Sequence, residues 1–433
     1  MENHKEYKES PWGPIPSHWK VSAVNNETIV VTDYVANGSF ESLAKNVKYK
    51  SEEDFAVLIR LVDYNSQFKG DFVYIDKDAY EFLGKSKLYG DEIIISNVGA
   101  NVGTVFKCPH LKYKMSLAPN AIMVKFKGDN DFYYYWLQSR YGQHMLQSIV
   151  TGSAQPKFNK TNFRDMSIPV PPINEQIRIG IILKSLDDKI ECNRRINDNL
   201  EQQAQALFKS WFVDFEPFKD NEFVKSELGM IPKGWSIQKA QDIFEINIGK
   251  TPPRKEKEWF TESTDDIIWV SIADMGSCGV FISDSSEYLT IEAIRKYNIL
   301  MVEKDSVLLS FKLTIGRVAI ADAKLTTNEA IARFILPDKS YREFLYLYLK
   351  RYEYGGLGST SSIATAVNSK TIKGMKLLMP DVDIIKEFSH KARPLFEQIR
   401  INQQESRRLA QLRDTLLPRL MSGELKVNEI EMP

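Results

Sequence analysis

The chain is an internal duplication, and this repeat constrains its fold more than any other feature of the sequence. The pattern G-x-I-P-x-x-W begins at Gly13 and again at Gly229, 216 positions later. Residues 91–96 (DEIIIS) return at 305–310 (DSVLLS) after 214 positions, and from Ala121 onward the offset holds at 209. Chance matches would scatter, whereas this offset falls and then stays constant. We therefore interpret the chain as two collinear copies that differ by a few short deletions.

Composition narrows the functional classes without selecting one. Of 433 residues, 43% are apolar and 26% are charged, and 57 basic residues balance 57 acidic ones. This length suggests two or three domains, and the charge balance excludes a uniformly basic nucleic-acid coat. No apolar run approaches the roughly 20 residues that cross a bilayer, and three cysteines are too few for a disulfide framework or a zinc site. We expect a cytoplasmic protein without membrane attachment.

Each copy begins with a mixed segment of short strands, followed by an aromatic stretch that we expect to be helical. The β-type runs lie at 92–96, 102–106, 121–126, 267–272, 306–310 and 317–321. This helical stretch is predicted over 132–146 in the first copy and over 341–352 in the second. These patterns predict an α+β protein with two tandem mixed domains, at residues 1–171 and 217–380.

Each copy ends in a long helix, predicted at 172–216 and, with the tail, at 381–433. Apolar residues alternate at spacings of four and three, the heptad pattern of a coiled coil. Two polar positions that match in both helices are typical of seams that fix register and orientation. We expect an antiparallel pair with pseudo-twofold symmetry, and a kink or a restart of the second helix at Pro394. The predicted seam consists of Leu186, Ile190, Asn193, Asn197, Leu200, Leu207, Trp211, Leu395, Ile399, Asn402, Ser406, Leu409, Leu416 and Leu420.

The length of this seam suggests a spacer. The 26 residues from 186 to 211 rise about 39 Å at 1.5 Å each. One turn of duplex DNA is about 34–36 Å, the spacing at which symmetric readers present elements to successive grooves. A parallel pair would place both mixed domains at the same end, whereas an antiparallel pair would place them at opposite ends of a stiff rod. That geometry suits a ruler holding two related readers on one duplex.

Local charge and loop composition favour nucleic acid as the ligand of the mixed domains. Between residues 100 and 170, nine basic residues outnumber three acidic ones in a chain of zero net charge. Two loops at matching positions, 151–160 and 355–370, are rich in residues that approach phosphates and bond base edges. A solvated basic face or a flexible turn remains the alternative for each feature alone. The candidate DNA contacts are Asn97, Asn101, Lys107, Ser153, Gln155, Lys157, Lys160, Lys250, Arg254, Lys312, Arg317, Ser359, Thr360 and Lys370.

Motifs of the common catalytic classes are missing from the sequence. A phosphate-binding loop would need glycine at position 244, where Phe244 precedes Gly249-Lys250-Thr251. The proline pairs lack the flanking residues of an adenine-methyltransferase loop, and the five histidines form no H-E-x-x-H pattern. We predict no catalytic residue and no metal site in this chain, which indicates a binding protein.

The ordered set of motifs resembles the specificity subunits of type I restriction-modification enzymes. The resemblance rests on the doubled G-x-I-P-x-x-W, GKTPPR at 249–254, IWVS at 268–271, PPINEQ at 171–176 and LPRLMSG at 417–423. It implies two target-recognition domains, each reading one half of a split asymmetric DNA site. It also implies that the helices serve as spacer and as dock for two methylation subunits. Translocase-nuclease subunits would complete the complex, and S-adenosylmethionine, ATP and Mg²⁺ would bind the partners rather than this chain.

Three other interpretations stay open at this point. A related DNA-reading subunit of another modification system would carry similar residues. A self-contained methyltransferase or nuclease with unfamiliar motifs would modify or cut DNA unaided. A coiled-coil adaptor would bind no nucleic acid.

Overall fold

The structure, a computed structural model, describes residues 6–357 and 367–427. The chain divides into two compact units, one formed by Met1–Ile190 with Arg408–Pro433 and the other by Glu191–Arg407. The unit boundaries fall within the two long helices, Ile173–Phe212 and Val382–Met421. Each unit therefore contains a head of strands and short helices together with one part of each long helix. No described helix combines the length and the apolar character that a membrane span requires.

Two four-stranded sheets form the head of the first unit. One has the order Thr28–Asp33, Ala121–Phe126, Ile93–Ser96, Val105–Lys107, with every neighbouring pair antiparallel. The other has the order Val73–Ile75, Ala56–Ile59, Lys114–Leu117, Lys87–Leu88, with the two central strands parallel. Two shorter pairs complete the head, Tyr7–Lys8 with Ile15–Pro16 and Lys20–Ala23 with Ser167–Val170. The isoleucine run at 93–95 is buried throughout, as expected for a β-branched central strand.

The head of the second unit repeats this arrangement. A five-stranded sheet has the order Glu245–Ile248, Ile331–Ile335, Val307–Ser310, Val318–Ala321, Phe281–Ile282. A four-stranded sheet has the order Phe260–Thr261, Tyr288–Leu289, Ile267–Val270, Thr326–Thr327, and its last two strands are parallel. The shorter pairs are Phe223–Ser226 with Gly229–Pro232 and Ser236–Lys239 with Lys376–Met379. The order of the strands that correspond in sequence is the same in both heads, which confirms the duplication and the α+β fold.

Short helices connect the strands. Those of the first unit are Val24–Glu27, Tyr34–Asn37, Phe40–Asn46, Leu61–Asn65, Lys77–Phe82, Asn130–Gln138, Arg140–Ser148 and Lys160–Asp165. Those of the second unit are Glu216–Phe218, Ala240–Ile243, Lys257–Trp259, Ile272–Ser277, Ile291–Lys296, Tyr341–Arg351, Tyr354–Leu357 and Ser369–Lys373.

The helical character predicted for 132–146 is confirmed, but the stretch is divided into two helices, Asn130–Gln138 and Arg140–Ser148. Ser139 between them is extended, and its hydroxyl accepts a hydrogen bond from the Gly142 N–H, which caps the second helix. Gly142 also lies so close to the Trp136 carbonyl oxygen that a Cβ would approach it to 2.1 Å. The local capping preference of serine therefore overrides the continuous apolar pattern.

Within each unit the two long helices run antiparallel, which confirms the expected direction of pairing. In the second unit Asn193 bonds Ser406 at 3.3 Å, while the Phe212 and Phe388 rings lie 4.9 Å apart, so rising numbers on one helix meet falling numbers on the other. In the first unit Arg413 donates to Asp187 at 2.6 Å. Arg178 there reaches the carbonyl of Val427, beyond the end of the second helix, which gives the same direction.

The second long helix does not restart at Pro394, which corrects that part of the prediction. It runs without interruption from Val382 through Pro394 and Pro418 to Met421. Pro394 lacks an N–H, so the carbonyl of His390 loses its intrahelical partner. Both residues are exposed, and water can satisfy that carbonyl.

The repeated G-x-I-P-x-x-W segment packs each head against a long helix. Trp19 is buried, and its indole N–H donates to the Glu175 carboxylate at 2.9 Å in the first turn of the first long helix. In the second unit Trp235 is also buried, and its ring lies 5.8 Å from that of Phe212 at the end of the same helix. Burial of the tryptophan explains why the pattern occurs in both copies.

A buried ionic cluster adds a further link in the second unit. Arg342 is 4% exposed and donates to Asp305 at 2.6 Å, to Glu343 at 2.5 Å and to Glu397 at 2.8 Å. Arg400 of the second long helix also donates to Asp305, at 2.7 Å. Burial alone would raise the pKa of Asp305, but hydrogen bonds from Arg400 and Arg342 bring that pKa below its ordinary value.

Candidate nucleic-acid interface

In the first unit, the structure joins the loop at 151–160 to the turn that carries two other candidates, Asn97 and Asn101. The turn after Ile93–Ser96 contains Asn97, and the loop before Lys160–Asp165 contains Gln155. The Gly99 N–H donates to the Pro156 carbonyl at 2.8 Å, and the Phe158 N–H donates to the Asn97 carbonyl at 3.1 Å. These bonds fix the two loops to each other as one surface, which we call the first loop pair (residues 97–103 and 151–158).

The first loop pair presents a small polar set to solvent. Asn101, Ser153, Gln155 and Lys157 are all exposed. Among the described residues, no side chain bonds the amide of Gln155 or the ammonium of Lys157. An exposed amide can donate to and accept from a base edge, and an exposed ammonium can bind phosphate.

Asn97 instead has a structural contact. Its side-chain N–H donates to the Phe158 carbonyl at 3.0 Å, and its side-chain oxygen is buried without a partner among the described residues. The residue thus connects the two loops of the pair. A direct base contact would have to use the remaining N–H or follow a rearrangement.

Two predicted cations of the first unit have acidic partners within the chain. Lys107 pairs with Asp131 and lies 4.7 Å from the centre of the Tyr134 ring. Lys160 pairs with Asp33 at 2.8 Å. A phosphate contact by either lysine would require it to share or leave its carboxylate.

A cleft of about 600 Å³ opens beside the first loop pair, and sequence reasoning did not select it. Tyr34, Phe40, Tyr49, Asn97 and Asn120 are among its lining residues. Phe40, the first residue of its helix, is 82% exposed. The only sequence signal for this cleft is Phe40, a large aromatic residue directly after the helix-capping Ser39.

In the second unit, three predicted cations also bond within the chain. Lys250 donates to the Tyr297 carbonyl at 2.5 Å, and Arg317 donates to the Ile272 carbonyl at 2.6 Å. Arg254 forms two bonds to Glu287, at 2.8 and 2.9 Å, and stacks on Phe260 and Trp269. These contacts hold the G-K-T-P-P-R segment on its sheet.

Glu256 fixes the next part of that segment. Its carboxylate accepts hydrogen bonds from the Trp259 indole at 2.7 Å, the Tyr297 hydroxyl at 2.7 Å and the Lys296 ammonium at 3.3 Å. The bonds from Trp259 and then Tyr297 are the main reason that the pKa of Glu256 falls to about 2. The carboxylate is therefore ionised at any physiological pH.

The remaining predicted residues of the second unit divide into two groups. Lys312 and Lys370 are exposed, on the turn after Val307–Ser310 and on the helix Ser369–Lys373. Ser359 and Thr360 lie outside the described residues.

Sequence reasoning missed three exposed cations near Glu256 as individual candidates. Lys255, Lys257 and Arg295 are exposed, and none of their side chains bonds another described residue. Lys255 and Lys257 directly flank Glu256 in the sequence, and Arg295 is next to Lys296, which bonds Glu256. The sequence signal was the basic run around Pro252-Pro253. Only the fold shows that Lys255 and Lys257 are the cations of this run whose side chains have no partner among the described residues.

Four residues of the predicted helix seam, Asn193, Asn197, Asn402 and Ser406, form hydrogen bonds between the long helices in the second unit. Asn193, Trp211, Ile399, Asn402 and Leu420 are buried. The other predicted seam residues, none of which is exposed, are Leu186, Ile190, Asn197, Leu200, Leu207, Leu395, Ser406, Leu409 and Leu416.

The arrangement as a whole suits recognition of a polyanion whose bases present a pattern of hydrogen-bond donors and acceptors along their edges. Exposed amides, hydroxyls and ammonium groups sit on loops that backbone bonds hold in place. In the part of the chain that the structure describes, no group of three or more His, Cys, Asp or Glu side chains could hold a metal ion.

The comparisons with known proteins agree on one family. The family model for the "type I restriction modification DNA specificity domain" matches residues 38–202 and again residues 232–411. The two matches cover most of the chain and correspond to the two sequence copies.

Individual relatives belong to the same group. The chain is 28% identical to the MjaIX type I restriction enzyme specificity subunit of Methanocaldococcus jannaschii, over 98% of both chains. It is 29% identical to the HindI specificity subunit of Haemophilus influenzae, over 62% of this chain and 71% of that protein. The crystal structure of the S subunit of a type I system from M. genitalium has the same fold, with a TM-score of 0.53, 14% identity and coverage of 93% of this chain and 96% of that one.

Proposed function

The chain belongs to the family of type I restriction-modification DNA specificity domains, and from this premise we propose how its two copies and its helices divide the work of recognition. It is a specificity subunit with two tandem specificity domains, and its role is to recognise a DNA sequence. Each head reads one half of a bipartite, asymmetric site. The observation that carries this proposal is the repeated strand order, which gives two heads of one design with different loop residues.

The difference between the loops supports recognition of different bases. The turn after Ser96 in the first head exposes Asn101, whereas the corresponding turn of the second head exposes Lys312 and Leu313. Amides and hydroxyls bond base edges, while ammonium and apolar groups suit phosphates and thymine methyl groups. Two heads with different exposed chemistry read an asymmetric site.

The chemistry of methylation and cleavage resides on other subunits. The relatives are specificity subunits, which are not catalytic themselves. Two methylation subunits dock on the helices and bring S-adenosylmethionine, and translocase-nuclease subunits bring ATP and Mg²⁺. This chain supplies the DNA sequence specificity of the complex and binds none of these cofactors.

The antiparallel helices set the spacing between the half-sites. A shortened chain that lacks residues 188–194 and 405–411 can test this role. The two deletions remove one heptad from each helix but keep Asp187, Arg413 and Arg400, which bond the heads or the partner helix. Seven residues rise about 10 Å, which is about three base pairs of duplex.

The experiment is to co-express the wild-type or shortened chain with its methylation subunit and to map methylated bases by sequencing. The expected wild-type result is one bipartite motif. The shortened chain should keep both half-sites and lose about three base pairs of the spacer between them. An unchanged spacer would contradict the ruler role, and methylation without any motif would contradict sequence recognition by this chain.

A further inference from the structure

The most exposed large apolar side chain of the described residues stands at the tip of a hairpin in the second head. The strands Val307–Ser310 and Val318–Ala321 are antiparallel neighbours, and residues 311–316 connect them. At the base of the turn, the Ser310 N–H donates to the Arg317 carbonyl at 2.9 Å, and the Gly316 N–H donates to the Ser310 carbonyl at 3.0 Å. Phe311 is fully buried beneath the turn. The tip is thus held firmly by its base.

Leu313 at this tip contributes little to the fold. It is 99% exposed, so it gains no hydrophobic stabilisation from its own chain. Its φ of +58° is in the left-handed region, which costs a residue with a Cβ and favours Gly or Asn. The equivalent turn of the first head uses Gly99, at φ +98°, for such a conformation.

The residues next to Leu313 in the sequence indicate which part of the DNA it contacts. Lys312 and Thr314 on either side are also exposed. A cation, an apolar group and a hydroxyl in succession match a phosphate, a thymine methyl group and a base edge. The major groove, about 12 Å wide, admits a two-stranded hairpin and is the groove that displays the thymine methyl group.

We infer that Leu313 is a specificity-determining residue that enters the major groove of the second half-site and packs on the 5-methyl group of a thymine. The inference rests on the proposed DNA-reading function and goes beyond it, because it assigns a base feature to one side chain. Lys312 binds the adjacent phosphate and sets the depth of the tip. Leucine stays at a strained, exposed position because its contact forms only with DNA.

The test uses the complex of the full chain with its methylation subunit and duplexes carrying the mapped site. Each thymine of the second half-site is replaced in turn by deoxyuridine, which lacks only the methyl group. Wild-type complex should lose about fourfold in affinity at one position, the value expected for one buried methyl group. Leu313→Ala should bind the thymine duplex more weakly than wild type and should be insensitive to that replacement. Leu228→Ala, which alters a half-exposed leucine elsewhere in this unit, should retain the wild-type response.

A stability measurement separates this role from a structural one. Leu313→Gly relieves the strained φ and removes no packing, so its melting temperature should equal or exceed that of wild type. A lower melting temperature would show that Leu313 packs on its own chain and would overturn the inference. Equal sensitivity of wild type and Leu313→Ala to every deoxyuridine would overturn it too.

Two further outcomes count against it. A rise of 2-aminopurine fluorescence in the second half-site that depends on Leu313 would show insertion between bases instead of methyl contact. A second half-site without thymine on either strand would also exclude the contact. If wild-type complex had no sequence preference, the proposed function itself would fail and this inference with it.

Discussion

The side-chain N–H of Asn402 donates a hydrogen bond to the side-chain oxygen of Asn197, 2.9 Å away on the opposite long helix. Both residues belong to the predicted seam, and Asn402 is buried. A buried amide is tolerated in a seam only when it finds a partner, and such a pair disfavours other registers. The two asparagines therefore indicate how this antiparallel pairing is specified in the second unit.

This pair gives a stability prediction with its own internal control. Asn402→Leu should destabilise the chain by about 1–3 kcal/mol, because it leaves the oxygen of Asn197 without its donor. Adding Asn197→Leu should recover most of that loss, since two leucines bury apolar surface at the same place. Thermal unfolding of wild type, both single variants and the double variant measures the coupling. Additive losses would show that the amides act independently.

A second prediction concerns phosphate contact by Lys157. Lys157→Gln should leave the melting temperature unchanged and lower the slope of log affinity against log salt by about 0.9, the value for one phosphate contact. Lys160→Gln is the matched control, because its ammonium bonds Asp33 at 2.8 Å. That variant should lower stability and leave the salt slope unchanged. Fluorescence anisotropy with the methylation complex between 50 and 200 mM salt is a suitable assay, and an unchanged slope for Lys157→Gln would remove this residue from the interface.

A third prediction assigns base reading to Gln155. Gln155→Ala should cost about 1–3 kcal/mol of binding on the correct site and relax the preference at one base pair of the first half-site. Gln202, exposed on the first long helix, provides a control substitution of the same kind. Sequencing of the bases methylated by each variant complex gives the preference. A Gln155→Ala motif identical to that of wild type would show that this amide reads no base.

A fourth prediction concerns the buried Arg342. Arg342→Met should cost about 3–5 kcal/mol, because it leaves buried carboxylates without their counter-charge. Arg351→Met, at the exposed end of the same helix, should have little effect. The measurement is the midpoint of urea unfolding of the full chain. Equal midpoints for the two variants would contradict the importance of the cluster.

The same cluster makes stability depend on pH with a definite sign. The pKa of Asp305 is lower in the folded chain than its ordinary value of about 3.9. Its contribution is therefore complete above that value and is lost as the pH falls through the lower, folded pKa. Asp305→Asn should weaken this acid dependence.

A fifth prediction tests how Glu256 holds the basic segment. Glu256→Gln should expose the bonds after Lys255 and Lys257 to faster cleavage by trypsin, because the amide holds Trp259, Tyr297 and Lys296 less strongly. Glu258→Gln changes an exposed neighbour and should cleave at the wild-type rate. Since the pKa of Glu256 is about 2, its carbon NMR signal should titrate near pH 2. Titration near 4 would contradict the hydrogen bonds that the structure shows.

Sequence patterns predicted the larger features of this fold well. The offset between copies predicted two heads of one design, and the heptad pattern predicted two long helices that pair with each other. These features follow from periodicity over many residues, where single exceptions such as Pro394 have little weight. The helix break at Ser139 depended on one cap and one close glycine contact, which such averaging conceals.

The residues of the candidate interface could be predicted less completely from the sequence. The sequence alone determined which loops are polar and basic, because composition is a local property. Only the tertiary structure decided that Lys107, Lys160, Arg254 and Arg317 have partners within the chain, while Lys157 and Lys312 face solvent. The physical reason is that a charge is satisfied by whatever the fold brings within about 4 Å, and those partners lie tens of residues away in the chain.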